Sequence, residues 1–141
     1  MKAVVVRNYG ELDEVTIEDV PVPAIEPAEV LVQVEAASVN PLDVKLISGN
    51  LKAFFPLMPP YIIGTDLSGT VVEVGSLATR WKKGDRVFAH FEPAPGQGDQ
   101  YSRVGALAEF AAVPAVHVAQ VADNVELTVS AGIPTAAGTA W

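Results

Sequence analysis

Valine recurs at every second position in one short run after another, and a proline or glycine punctuates the chain between runs. Val30, Val32 and Val34 alternate with Leu31, Gln33 and Glu35; Val15 and Ile17 alternate with Thr16 and Glu18. A period of two sends successive side chains to opposite faces of an extended backbone, so each run reads as a half-buried strand. Residues 2–7, 66–75, 86–90, 107–113 and 116–121 read as further strands. Eleven glycines and eleven prolines favour many short elements over long helices. The pattern predicts a mainly β domain, barrel-like or sandwich-like. A chain of 141 residues, 50% of them hydrophobic, is long enough to build one such core.

No run approaches the roughly 20 apolar residues of a membrane span. The opening apolar run, residues 3–6, stops at Arg7, too short for a secretory segment. Nine basic residues against seventeen acids give a formal charge of −8. Nucleic-acid binding relies on clustered cations, and the one basic cluster, residues 80–86, contains Asp85 and reads as a solvated turn. The acids crowd into residues 11–35 and read as solvent-facing strand edges. With no cysteine, the chain has no disulfide, thiol nucleophile or thiolate metal ligand. With only His90 and His117, a tetrahedral zinc site would need carboxylates for most of its ligands, so no metal is expected. Both histidines lie within strand patterns and read as core-edge or surface residues. Tyr61 follows two prolines and reads as packing.

Two helices break the β pattern. Asn40 is a preferred N-cap, Pro41 suits the first helical position, and Gly49 is placed to end the helix. Asp43 falls at the third helical position, where its carboxylate can answer the orphan amides and the helix dipole. A second helix begins near Thr128 and runs to Ala140, broken by Pro134 and Gly138. By local physics, Asn40-Pro41-Leu42-Asp43 is first a capping motif.

Further segments add to it: Gly64-Thr65-Asp66-Leu67-Ser68-Gly69 continuing to Gly75, Lys83-Gly84-Asp85-Arg86-Val87, Gly105-Ala106-Leu107-Ala108-Glu109-Phe110 continuing to Pro114, and Ala136-Ala137-Gly138-Thr139-Ala140-Trp141. In this order they resemble the GroES-like catalytic domain of the medium-chain dehydrogenase/reductase superfamily, over nearly the whole chain. The zinc-dependent alcohol dehydrogenases of that superfamily carry a cysteine after the third long strand and Gly-His-Glu where this chain has Gly64-Thr65-Asp66. The sequence therefore looks like the zinc-free quinone oxidoreductase branch, which also holds enoyl and alkenal reductases.

The resemblance implies a GroES-like, partly open β-barrel with two short helices. It implies a parent enzyme that reduces a quinone or α,β-unsaturated carbonyl with NADPH or NADH and no metal, as a cytoplasmic homodimer acting on a small molecule, with no nucleic acid or membrane partner. Carried over by motif, Asn40, Lys45 and Asp43 are the candidate catalytic residues, and Asn40 and Thr139 the candidate cofactor contacts. Lys45 would offer its ammonium to an acceptor carbonyl or a cofactor hydroxyl, with an exposed surface lysine as the alternative. Asp66 either orders its turn or stands near the cleft, and residues 92–104 are a candidate access loop. A dinucleotide fingerprint needs G-x-G-x-x-G after a strand, and Gly96-Gln97-Gly98 puts Tyr101 in the third glycine's place.

We therefore expect residues 1–127 to be the catalytic domain, incomplete without a returning segment. Residues 128–141 begin a connection to a dinucleotide-binding domain outside this chain, so the chain alone is expected to be inactive. A stand-alone GroES-like binding module and a co-chaperonin-like oligomer subunit remain the alternatives.

Overall fold

Two antiparallel sheets share the strands unequally in the computed structural model, which describes residues 1–91 and 105–141. The smaller sheet has the order β2-β1-β4, from β1 (Lys2–Val6), β2 (Val15–Asp19) and β4 (Tyr61–Ile62). The larger has the order β7-β3-β5-β6-β8, from β3 (Glu29–Ser38), β5 (Asp66–Val74), β6 (Arg86–His90), β7 (Phe110–Pro114) and β8 (Val118–Gln120). A bridge between Ala3 and Ala108 and a hydrogen bond from Val4 N–H to the Leu107 carbonyl at 2.8 Å tie the sheets together. The result is mainly β and not a closed barrel, as the resemblance implied. The sequence-derived access loop, residues 92–104, lies outside the described residues.

Burial follows the alternation in β6 and β7, whereas β3 and β5 each begin with four consecutive buried residues, Leu31 among them. Val30, Val32, Leu67, Val71, Val87 and Ala89 are buried in the core of the larger sheet, with Trp81 sealing it and donating its indole N–H to the Ala115 carbonyl at 3.1 Å. A second core packs Val6, Leu46, Ile47, Leu57, Tyr61 and Ile63 between the smaller sheet and α1 (Pro41–Ile47). Tyr61 is fully buried and its hydroxyl donates to the Leu46 carbonyl at 3.0 Å. Burial, with a minor contribution from Tyr9, pushes that hydroxyl's pKa upward, consistent with a packing residue that does not titrate.

Local signals placed the helices well. Asn40 is extended and precedes α1, Pro41 opens it, and Gly49 follows it with φ 72°, a conformation that favours glycine. The C-terminal helix is broken as expected: α2 (Leu127–Ser130), a wide π-type turn over Ile133–Ala137, then one short turn, α3 (Gly138–Ala140).

The structure corrects four expectations. Glu29 is buried, and its carboxylate closes the Pro27 turn by accepting from the Glu26 backbone N–H at 2.8 Å. Ile17 is 74% exposed on the edge strand β2, where it pairs with Val4. Arg86 is no solvated turn residue: its guanidinium donates to the carbonyls of Ala122, Asp123 and Val125, the last at 2.7 Å. The segment expected as a strand from residue 116 starts instead as a tight 3-10 turn, Ala115–His117, and β8 begins at Val118.

Candidate active site

Strand register creates the site. Ser38, the last residue of β3, pairs with Asp66, the first of β5, and Asp66 pairs with His90, the last of β6. Residues paired directly across strands share one face of the sheet, so these three form a row at one end of it. The chain leaves β3 at Ser38 and reaches Asn40 two residues later, which brings the start of α1 beside the row. The wide turn at Ile133–Ala137 brings in Thr135 from the other end of the sequence.

Asp66 is the hub, and it is completely buried. Its Oδ2 accepts from the Thr135 backbone N–H at 2.9 Å, from Asn40 Nδ2 at 3.1 Å and from Ser38 Oγ at 3.3 Å. Its Oδ1 accepts from Thr135 Oγ1 at 2.8 Å and lies 2.8 Å from His90 Nδ1. Burial alone would raise the Asp66 pKa, but the hydrogen bonds from His90, Thr135 and Asn40 together outweigh it and hold the carboxyl below its ordinary range. The carboxylate is therefore ionised, and an ionised carboxylate only accepts, so His90 Nδ1 carries the proton.

Asp43 lies close by with the opposite tuning. Its Oδ2 accepts from the Asn40 backbone N–H at 2.7 Å, while its buried Oδ1 has no hydrogen-bond partner among the described residues. Burial raises its pKa, and the charge of Asp66 adds to the rise. Two neighbouring carboxyls are thus pushed apart, one held ionised and one biased toward the neutral acid.

Of the residues chosen from sequence, the structure joins Asn40 directly to this network and places Asp43 next to it. Lys45 is exposed on the outer face of α1 and Thr139 is exposed on α3. The network also recruits Ser38, Asp66, His90 and Thr135. From sequence Asp66 stands between turn and cleft, and His90 reads as a core-edge or surface residue. An Asp and a His at the ends of adjacent strands were the available signal, but only the register joins them. Among the described residues no three His, Cys, Asp or Glu side chains converge as a metal site would need.

The alcohol dehydrogenase GroES-like domain family matches residues 26–123. An NADPH-dependent alkenal/one oxidoreductase, chloroplastic, of Arabidopsis thaliana is 37% identical over 99% of this chain and 36% of its own length. A quinone-oxidoreductase homolog, chloroplastic, of Spinacia oleracea is 36% identical over 99% of this chain and 40% of its own. The structure of a quinone oxidoreductase from Coxiella burnetii superposes with a TM-score of 0.80 at 27% identity, covering 96% of this chain and 41% of that one. The chain thus spans well under half the length of each of these proteins.

Proposed function

The chain belongs to the alcohol dehydrogenase GroES-like domain family, and we propose that it is the acceptor-side domain of a zinc-independent, NAD(P)H-dependent oxidoreductase that reduces a quinone or an α,β-unsaturated carbonyl. The observation that carries this reading is the buried cluster around Asp66. It stands at the Gly64-Thr65-Asp66 triplet and just after β3, where the zinc enzymes of this superfamily place metal ligands. Here those positions hold a carboxylate satisfied by Thr135, His90, Asn40 and Ser38. With no cysteine in the chain, a soft zinc site has no donors.

NADPH is the cofactor named for the Arabidopsis relative, with NADH as the alternative. When bound, the dinucleotide supplies the hydride. The donor set here fits the nicotinamide end of such a molecule and not its pyrophosphate. Thr139 on α3 offers an exposed hydroxyl and Lys45 on α1 an exposed ammonium, whereas Asp43, Asp66 and the overall charge of −8 oppose phosphate binding. In this reading Thr139 and Asn40 meet the nicotinamide side, Lys45 offers its ammonium to the acceptor oxygen, and Asp43 holds the Asn40 backbone in place.

Residues 1–127 form the GroES-like unit and residues 128–141 lead toward a dinucleotide-binding domain. The whole enzyme would act as a homodimer. No helix among the described residues is long and apolar enough to cross a membrane. A cytoplasmic location belongs to the same reading, although the Arabidopsis and spinach relatives are named chloroplastic.

Calorimetry on the 141-residue chain tests this division of labour. Neither NADPH nor zinc is expected to bind tightly. Tight NADPH binding would show that the chain carries its own dinucleotide site, and tight stoichiometric zinc binding would remove the metal-free assignment.

A further inference from the structure

We propose that His90 is the proton-transfer residue of this site: Asp66 holds its imidazole through Nδ1, and Nε2 delivers a proton to the acceptor oxygen. This rests on the reductase reading above. The pair is built asymmetrically. The Asp66 side chain is fully buried, while that of His90 is 38% exposed, so the orienting partner is sealed and the ring beside it reaches the surface. With Nδ1 committed to the carboxylate, Nε2 is the atom at which the ring gains or loses a proton.

The ring's anchor is over-determined. Asp66 is fixed by Ser38 from β3, by Asn40 at the start of α1, and by both the backbone N–H and the hydroxyl of Thr135. Burying a carboxylate is costly, and a well-packed apolar residue would serve folding as well or better. A site that must keep an imidazole in one orientation and one tautomer has a use for that cost. The same logic holds histidines in place in acid–base sites generally. Among the described residues the acidic groups near His90 are Asp66 on β5, whose carboxylate favours the imidazolium, and Asp43 on α1, which does so only in its ionised form.

The step balances. When the acceptor carbon takes hydride from NAD(P)H, an electron pair moves onto the acceptor oxygen. The Nε2–H bond of the imidazolium then breaks, its proton bonds to that oxygen, and the nitrogen keeps the pair. A solvent proton restores the imidazolium. The sum is acceptor, NAD(P)H and one proton giving reduced acceptor and NAD(P)+.

Two measurements test this. Long-range proton–nitrogen NMR on the wild-type chain is expected to show neutral His90 protonated at Nδ1. A ring protonated at Nε2 overturns the proposal without any variant. In the complete reductase, His90→Gln is expected to lower kcat roughly 100-fold and to abolish the loss of activity as pH rises through the imidazole titration. The KM for NAD(P)H should stay unchanged. Asp66→Asn should instead move that loss of activity to lower pH. If wild type turns over and His90→Gln keeps both its kcat and its pH profile, His90 is not the proton donor and the reductase reading stands. If the wild-type complete protein reduces neither acceptor class, the reductase reading fails first.

Discussion

Replacing Asp66 by alanine is expected to cost about 3 to 5 kcal/mol of folding stability, the range for breaking a buried, hydrogen-bonded charged cluster by removing one member. The size follows from what is left behind. Asn40 Nδ2, the Thr135 N–H and hydroxyl, Ser38 Oγ and His90 Nδ1 all lose the carboxylate they are paired with, at a position that is itself fully buried. Urea denaturation should show the loss as a lower midpoint with little change in slope. The defect should also depend on pH in a fixed direction. The folded pKa of Asp66 is depressed, so its contribution is fully present above the unfolded carboxylate value of about 4 and is lost as pH falls through the folded value. The gap between wild type and Asp66→Ala should therefore narrow in acid. Asp43 works in the other sense: its raised folded pKa contributes stability below the unfolded value that disappears as pH rises through the folded one. A stability difference that is flat with pH would mean that the Asp66 pKa is the same folded and unfolded, and one that widens in acid would mean that Asp66 is neutral in the fold.

The second large effect is expected at Gly69, in the middle of β5. A Cβ built there would lie 2.0 Å from the Gln33 carbonyl oxygen and 2.9 Å from Val32 Cγ1. The first of these is backbone of β3, held by its own ladder against both β5 and β7, so it cannot swing aside as a side-chain tip would. Gly69→Ala should cost more than about 3 kcal/mol, at or beyond the upper end of overpacking effects, and should deplete soluble protein. Gly138 provides the internal control. It is helical, a Cβ there meets nothing within 4 Å, and Gly138→Ala should be neutral or stabilising by up to about 1 kcal/mol. Paired thermal melts of the two variants check both statements, and equal stability of the two would refute the close approach of β3 and β5.

The contrast between these positions explains what could be read from sequence. Helix α1 was legible to within a residue because its determinants are local: a cap at Asn40, a proline at Pro41, an acid at Asp43 and a stop at Gly49. The alternating strands were legible because the period is a property of a few consecutive residues. Which strand lies beside which, and in what register, is set by contacts far apart in the chain. The Ser38–Asp66–His90 row, the arrival of Thr135 and the Arg86 clamp on residues 122–125 all depend on that. Thr135 shows the difficulty well. It stands four residues before Thr139, the hydroxyl that the motif resemblance singled out, and no local signal separates the two. Glu29 failed for the opposite reason: an acid in an acidic stretch looks solvated until a turn folds over it.

The most direct test of the central assignment is NAD(P)H oxidation by the complete protein, after exhaustive chelation, with an α,β-unsaturated carbonyl and a quinone as acceptors. Acceptor-dependent turnover that the chelator does not diminish is the expected result. Absence of turnover with both acceptors, or turnover lost on chelation and restored by zinc, would contradict the assignment.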